Sequence, residues 1–377
     1  MSAKTHKQSG GGQKRVLYFD VLRAIAPIAV ILIHVIEEAR PPEDSVDYVW
    51  AHSLVLLCRF AVPVFLMMSG ALFLDPKRPF DMKKHFKKYV LRMALILVVW
   101  QAIYALGEAL TMEVALGGAG RLETFLTAFF SMKYKHLWYI LMLLAMYLLV
   151  PILRRVTQDR KTTEYFLFIG IIICFALPML ANYANIIMAS SMGGGKALTA
   201  SLTGFTTFVD FFHSKIALDY MVYFVLGYYL QSVKLSLKQR RIIYILGVAA
   251  LAVAIIASPL RQALLGESFD TRGVDAANVN FFTLLYSVAA FVFARYVLAS
   301  RKRTPKLISV MAKYSLGVYL IHFALVKFVF YRYLYLERLR IDNMFFLIPV
   351  FAVLAYVGSF TMSWVLHKIP VVRKVIK

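Results

Sequence analysis

The sequence predicts an all-α polytopic membrane protein, a bundle of about ten transmembrane helices with both termini in the cytoplasm. Three observations carry this. Hydrophobic residues make up 60% of the chain and charged residues only 17%, with a mean hydropathy of +0.68, whereas about 25% of a soluble domain is charged. Apolar runs long enough to cross a hydrocarbon layer of roughly 30 Å recur along the whole length. Lysine and arginine gather in alternate loops, which is how retained cytoplasmic loops are marked.

The first run, Tyr18 to Ile36, follows a polar basic tail, residues 1–17. It is too long for a signal sequence and lacks a small-residue cleavage site, so it is expected to stay in the protein. The others are Ser53 to Leu74, Tyr89 to Leu106, Leu137 to Leu153, Tyr165 to Leu180, Ile216 to Leu230, Ile242 to Ser258, Phe281 to Leu298, Val310 to Tyr331 and Phe345 to Leu366. Residues 18–367 thus form one membrane domain, and 368–377 a second basic tail.

The loops test this reading. Lys4, Lys7, Lys14 and Arg15 precede the first span; Lys77, Arg78, Lys83, Lys84, Lys87 and Lys88 follow the second. "RRVTQDRK", "KLSLKQRR" and "RKRTPK" follow the fourth, sixth and eighth, and Lys368, Arg373, Lys374 and Lys377 close the chain. The loops between them are poorer or acidic, as in "EEARPPEDSVD". Losing one span would scramble the alternation, so the count is even.

The net charge of +23 therefore reports topology and not a nucleic-acid surface. Cys58 and Cys174 lie inside apolar runs, which supports neither a disulfide framework nor a thiolate metal site. The histidines are scattered without a His-Glu-x-x-His pattern, and no metal site is expected. The longest outer loop, Ala181 to Lys215, carries "SMGGGKALTASLTG" and reads as a flexible connector, with a lid over an outward cavity as the alternative. The triple glycines 10–12 and 193–195 open no phosphate loop, and no internal repeat supports an inverted-repeat transporter.

Within the first span, "LRAIAPIAVILIH" holds an arginine and a histidine. Arg23 and His34 are eleven positions apart, about three helical turns, so they share a face and are separated by roughly 16 Å along the axis. Ionisable groups in a membrane are costly and usually face a bundle interior. Each also has a plain reading: Arg23 snorkels to headgroups or pairs with Asp20, and His34 bonds a neighbouring carbonyl.

"YFDVLRAIAPIAVILIH" resembles the first transmembrane segment of the bacterial family-3 membrane acyltransferases, whose hallmark is Arg-x10-His, here Arg23 and His34. Further pieces agree in order: "FLMMSGALF", with Phe65, Ser69 and Gly70; "HLWYILMLLAMYLLVPIL", with His136, Trp138 and Tyr139; "YFVLGYYL"; and "YSLGVYLIH", ending at His322. The third span departs from the family's paired arginines, offering "KKYVLR" with Lys87, Lys88 and Arg92. The chain reads as the stand-alone form, without a following esterase-like domain.

The resemblance implies transfer of an acyl group, commonly acetyl, from cytoplasmic acyl coenzyme A to a hydroxyl of a surface polysaccharide or lipid-linked glycan at a bacterial plasma membrane. Arg23, Arg92, Lys87 and Lys88 would meet the donor's phosphates. His34 would be general base or acyl-carrying nucleophile, alternatives the sequence does not separate. Glu37 and Glu38, at i+3 and i+4, are candidates to orient its ring. Asp219 is another candidate partner or an acceptor contact. His136 and Trp138 read as an interfacial anchor or, since aromatics suit sugar faces, as an acceptor platform. Ser315, Tyr319 and His322 share a face of the ninth span and read as a polar helix contact. Ser69, Gly70 and Gly317 allow close helix approach. The rival class is a transporter, with Arg23, His34 and Asp219 lining a permeation path.

Overall fold

The structure is a computed structural model that describes residues 16–39, 41, 45–111, 118–131, 134–181, 218–265, 280–299, 301, 303–335, 344–370 and 372–376. The loop expected between Ala181 and Lys215 lies, beyond Ala181, outside these residues, as do both triple-glycine runs. Most of the described residues are helical, with no strand among them.

Every expected span falls on a helix. The first is α1, Leu17–Ala39. The second is two helices, α2 Val46–Cys58 and α3 Ala61–Phe73, with the break at Arg59 and Phe60. The third begins with α4, Met82–His85, passes through a π turn at Phe86–Val90 and continues as α5, Leu91–Thr111. A helix outside the ten spans follows, α6 Gly118–Phe130. It is short and carries Arg121 and Glu123, so hydropathy does not announce it; Gln101 of α5 donates to the Ala128 and Phe129 carbonyls at 3.1 and 2.9 Å and ties its end down.

The remaining spans are α7 Trp138–Val156, α8 Arg160–Ile171 with a π turn Ile172–Ala176, α9 Leu218–Ser232, α10 Leu237–Leu265, α11 Phe281–Val297, α12 Lys306–Ala324 with a π segment Leu325–Tyr335, and α13 Met344–Leu366. Eight helices are long and apolar enough to cross a membrane, and α9 and α11, at 15 and 17 residues, are the shorter two of the ten. The chain is a multi-pass membrane protein. Leu141, Leu148 and Ile152 of α7 are exposed while Met142, Met146 and Val150 are buried, so apolar residues cover both faces, as a helix between lipid and bundle requires.

Local chemistry sets the helix starts. Ser45 accepts from the Tyr48 amide at 3.1 Å, Asp159 from Thr162 at 2.7 Å and Asn280 from Phe282 at 2.7 Å, each relieving an orphaned first-turn N–H. Outside the membrane spans, the Asp159 carboxyl is held below the usual carboxylate range by the amide and hydroxyl of Thr162.

The closest helix approach is between α3 and α9. A Cβ on Gly70 would overlap the Phe224 carbonyl, and one on Gly227 would overlap the Met67 backbone. Each helix thus supplies a glycine where the other's backbone presses in, as in lipid, where association rests on packing. Gly317 likewise receives Ser363 of α13.

At the basic end, Arg154 of α7 donates to the carbonyls of Phe73, Asp75 and Arg78 at 2.8, 2.7 and 2.7 Å, clasping the chain that leaves α3. The basic tail, 368–377, is described at 368–370 and 372–376. Its short helix α14, Arg373–Ile376, docks on α5, where Trp100 Nε1 donates to the Val375 carbonyl at 3.1 Å.

Candidate active site

α1 and α12 leave the basic end of the bundle, and α7 returns toward it, ending in Arg154 and Arg155. Three histidines therefore meet at the opposite end. His34 of α1 lies 5.3 Å from His322 of α12 and 6.4 Å from His136, which precedes α7, measured between ring centres; His136 and His322 are 5.7 Å apart. Phe323 packs among them, stacked on His136 at 4.5 Å and edge-on to His34 at 5.3 Å. Tyr104 of α5 presents its ring to His136 at 4.6 Å, and Tyr319 donates its hydroxyl to the His136 carbonyl.

Hydrogen bonding fixes two tautomers. His34 Nδ1 is 3.0 Å from the Glu37 carboxylate, and His322 Nδ1 faces the Tyr319 carbonyl one turn back. Both partners accept only, so Nδ1 carries the proton and Nε2 the lone pair in each neutral ring. His322 Nε2 and both nitrogens of His136 are buried with no hydrogen-bond partner among the described residues. Burial, with His322 and His34 beside it, pushes the pKa of His136 well below the ordinary histidine range, and it is neutral. The other oxygen of Glu37 is 3.5 Å from Arg59. The helix break between α2 and α3 thus brings an intramembrane arginine to the histidine's partner.

The remaining candidates are spread over the bundle. Glu38 lines a small apolar slit between α1 and α13 with Val326 and Phe351, away from the His34 ring. Asp20 accepts from Thr304 Oγ1 at 3.4 Å, so the pairing expected with Arg23 is replaced by a contact with the loop before α12. Half-buried Arg23 lies within electrostatic reach of Tyr139 and Tyr147 on α7. Tyr147 is also touched by Ser69 and within electrostatic reach of Arg92. Trp138, two residues from His136, packs on Tyr220 at 5.3 Å, and Asp219 beside it lies against the Cys174 thiol.

Lys87, Lys88 and Arg92 line a cleft of about 500 Å3 at the basic end, and Arg373 and Lys374 of α14 complete it. Of the four cations the sequence offered, three line this cleft and Arg23 does not, while Arg373 and Lys374 bring the number to five. Among the described residues no set of His, Cys, Asp and Glu is placed to hold a metal ion.

Sequence reading passed over Arg59, although a charge inside the second span was the signal. It also read His136 and His322 as separate interfacial and packing residues, because which spans adjoin is not written in a hydropathy pattern. A buried ion pair escaped it too: Glu108 of α5 receives Lys327 at 3.3 Å and the Tyr134 hydroxyl at 2.9 Å, next to the cluster.

Three imidazoles thus face one another inside a bundle of apolar helices, away from its basic end. A family model described as an acyltransferase domain matches residues 16–368, nearly the whole chain, and the chain belongs to that family, the family-3 acyltransferases. No curated protein and no solved structure matches it. The protein is a membrane acyltransferase, and family membership favours an enzyme over the transporter alternative.

Proposed function

We propose that the protein is an O-acetyltransferase of the bacterial plasma membrane, moving acetyl from cytoplasmic acetyl coenzyme A to a hydroxyl of a surface polysaccharide or lipid-linked glycan. The observation that carries this is the oriented His34. Its Nδ1 proton is directed at Glu37, leaving Nε2 as a lone pair beside two further buried imidazoles. A ring so held is arranged for general-base work.

The donor's phosphates would rest on Lys87, Lys88, Arg92, Arg373 and Lys374, and Arg23 would guide the pantetheine arm inward. The rise of roughly 16 Å from Arg23 to His34 suits that arm, so the thioester would reach the histidine. His34 Nε2 then takes the proton of the acceptor hydroxyl as its oxygen attacks the thioester carbonyl. The C–O bond forms, the C–S bond breaks, and the proton passes from His34 to the departing thiolate. Products are the ester and free coenzyme A. Glu37, itself held by Arg59, supports the imidazolium between the two proton transfers. The free Nε2 of His322 would accept from the acceptor hydroxyl, and His136, with both nitrogens unpartnered among the described residues, would donate its N–H to the thioester oxygen.

The experiment is transfer of label from radiolabelled acetyl coenzyme A to a panel of glycans by purified protein, wild type against His34→Ala. Labelled glycan from wild type alone supports the reading. Equal label from both would remove the histidine from the chemistry.

A further inference from the structure

A second cleft opens at the basic end, about 600 Å3 in volume, between the segment leaving α3, the α7–α8 turn and the end of α9. It shares no lining residue with the Lys87 cleft. Its cations are Lys77, Arg78, Arg160 and Lys234. Arg78 is paired with Asp75 at 3.3 Å and Arg160 with Glu164 at 2.8 Å, whereas Lys77 and Lys234 make no ion pair among the described residues. Half-buried Tyr228 and Tyr229 contribute rings, and Gln231 and Gln239 amides.

Both walls are held from behind by groups that do not line the cleft. Arg154 clasps the carbonyls of Phe73, Asp75 and Arg78, and fixes the segment that bears Lys77. On the facing wall Arg295 donates to the carbonyls of Leu230 and, at 2.9 Å, Val233, while the Tyr296 hydroxyl receives the Leu235 amide at 2.7 Å. Lys234 therefore sits on an equally fixed stretch. Retention of cytoplasmic loops explains lysines in these loops. It does not require them to rim a braced concavity, since a topology signal works as well from a solvated chain.

A cavity of this size accommodates a small ligand. Cations at the rim suit phosphate oxygens, tyrosine faces suit a planar base, and fixed walls lower the ordering cost of binding. We propose that this cleft binds a nucleoside phosphate at the basic end, at a site separate from the acyl-donor cleft. The binding claim stands on this cleft alone, whereas its separateness rests on the proposed assignment of the Lys87 cleft to the acyl donor.

The test is calorimetric titration of the full-length protein in neutral detergent with adenosine triphosphate, and separately with acetyl coenzyme A. Lys77→Ala/Lys234→Ala is compared with Lys87→Ala/Lys88→Ala; all four lysines are exposed and outside the core, and thermal unfolding of each variant checks folding. Wild type is expected to bind the triphosphate, the first pair to weaken it about tenfold or more, and the second pair to leave it unchanged. Acetyl coenzyme A binding should survive the first pair. Failure of wild type to bind the triphosphate would overturn the proposal, as would equal weakening by both pairs. Loss of acetyl coenzyme A binding in the first pair would identify the cleft as the donor's own and overturn the separateness.

Discussion

The carboxylate of Glu37 lies 3.0 Å from Nδ1 of His34, one turn further along α1, with Arg59 on its other oxygen. Loss of a positioned general base costs about 10²–10⁴-fold, so His34→Ala is expected to lower acyl transfer by that amount in steady-state assays. Glu37→Gln removes one charge-assisted bond, worth about 1.5–3 kcal/mol, and is expected to lower kcat about 10–150-fold with KM for the donor unchanged. A Glu37→Gln enzyme as active as wild type would show that the carboxylate does not position the ring.

The donor cleft should act through charge. Replacing Arg373 and Lys374 with glutamine is expected to raise KM for acetyl coenzyme A and leave kcat intact. The difference from wild type should shrink as salt is raised, because exposed charges are screened beyond roughly 10 Å at 0.1 M. An equal fall in kcat would place α14 in a different role.

Gly227 tests the α3–α9 contact. A methyl group there meets the Met67 backbone, which has no rotamer through which to yield. Overpacking costs about 1–3 kcal/mol or more, so Gly227→Ala is expected to lower the thermal midpoint in detergent. Gly170→Ala meets one side-chain methyl of Val222 rather than backbone and should cost less.

Arg154 makes its bonds through a planar fork to several carbonyls at once. A lysine keeps the charge and loses that fork. Arg154→Lys is therefore expected to destabilise the protein by at least about 2 kcal/mol, near the effect of Arg154→Ala, measured as loss of unfolding midpoint. Full rescue by lysine would mean that charge alone holds the segment.

The Glu108–Lys327 pair is partly buried, with only 3% of the Glu108 side chain exposed. Removing one partner of a buried pair costs about 3–5 kcal/mol, more than replacing both. Lys327→Met is expected to lower the thermal midpoint further than Glu108→Leu/Lys327→Met.

Hydropathy and loop charge determined the helical class, the multi-pass plan of about ten helices and the basic end, because membrane insertion is read locally, span by span. The Arg23–His34 face was legible for the same reason: one helix's geometry is fixed by its repeat. Gly70 could be recognised as a site of close approach, but the Phe224 backbone that presses on it could not be named. Which spans adjoin was decided by side-chain packing between segments far apart in sequence. That packing brings His136 and His322 to His34, carries Arg59 to Glu37, turns Asp219 toward Cys174 and folds α14 onto α5. A histidine's neighbours across a bundle depend on the fit of whole helix faces, and no single span's sequence contains the faces of the others.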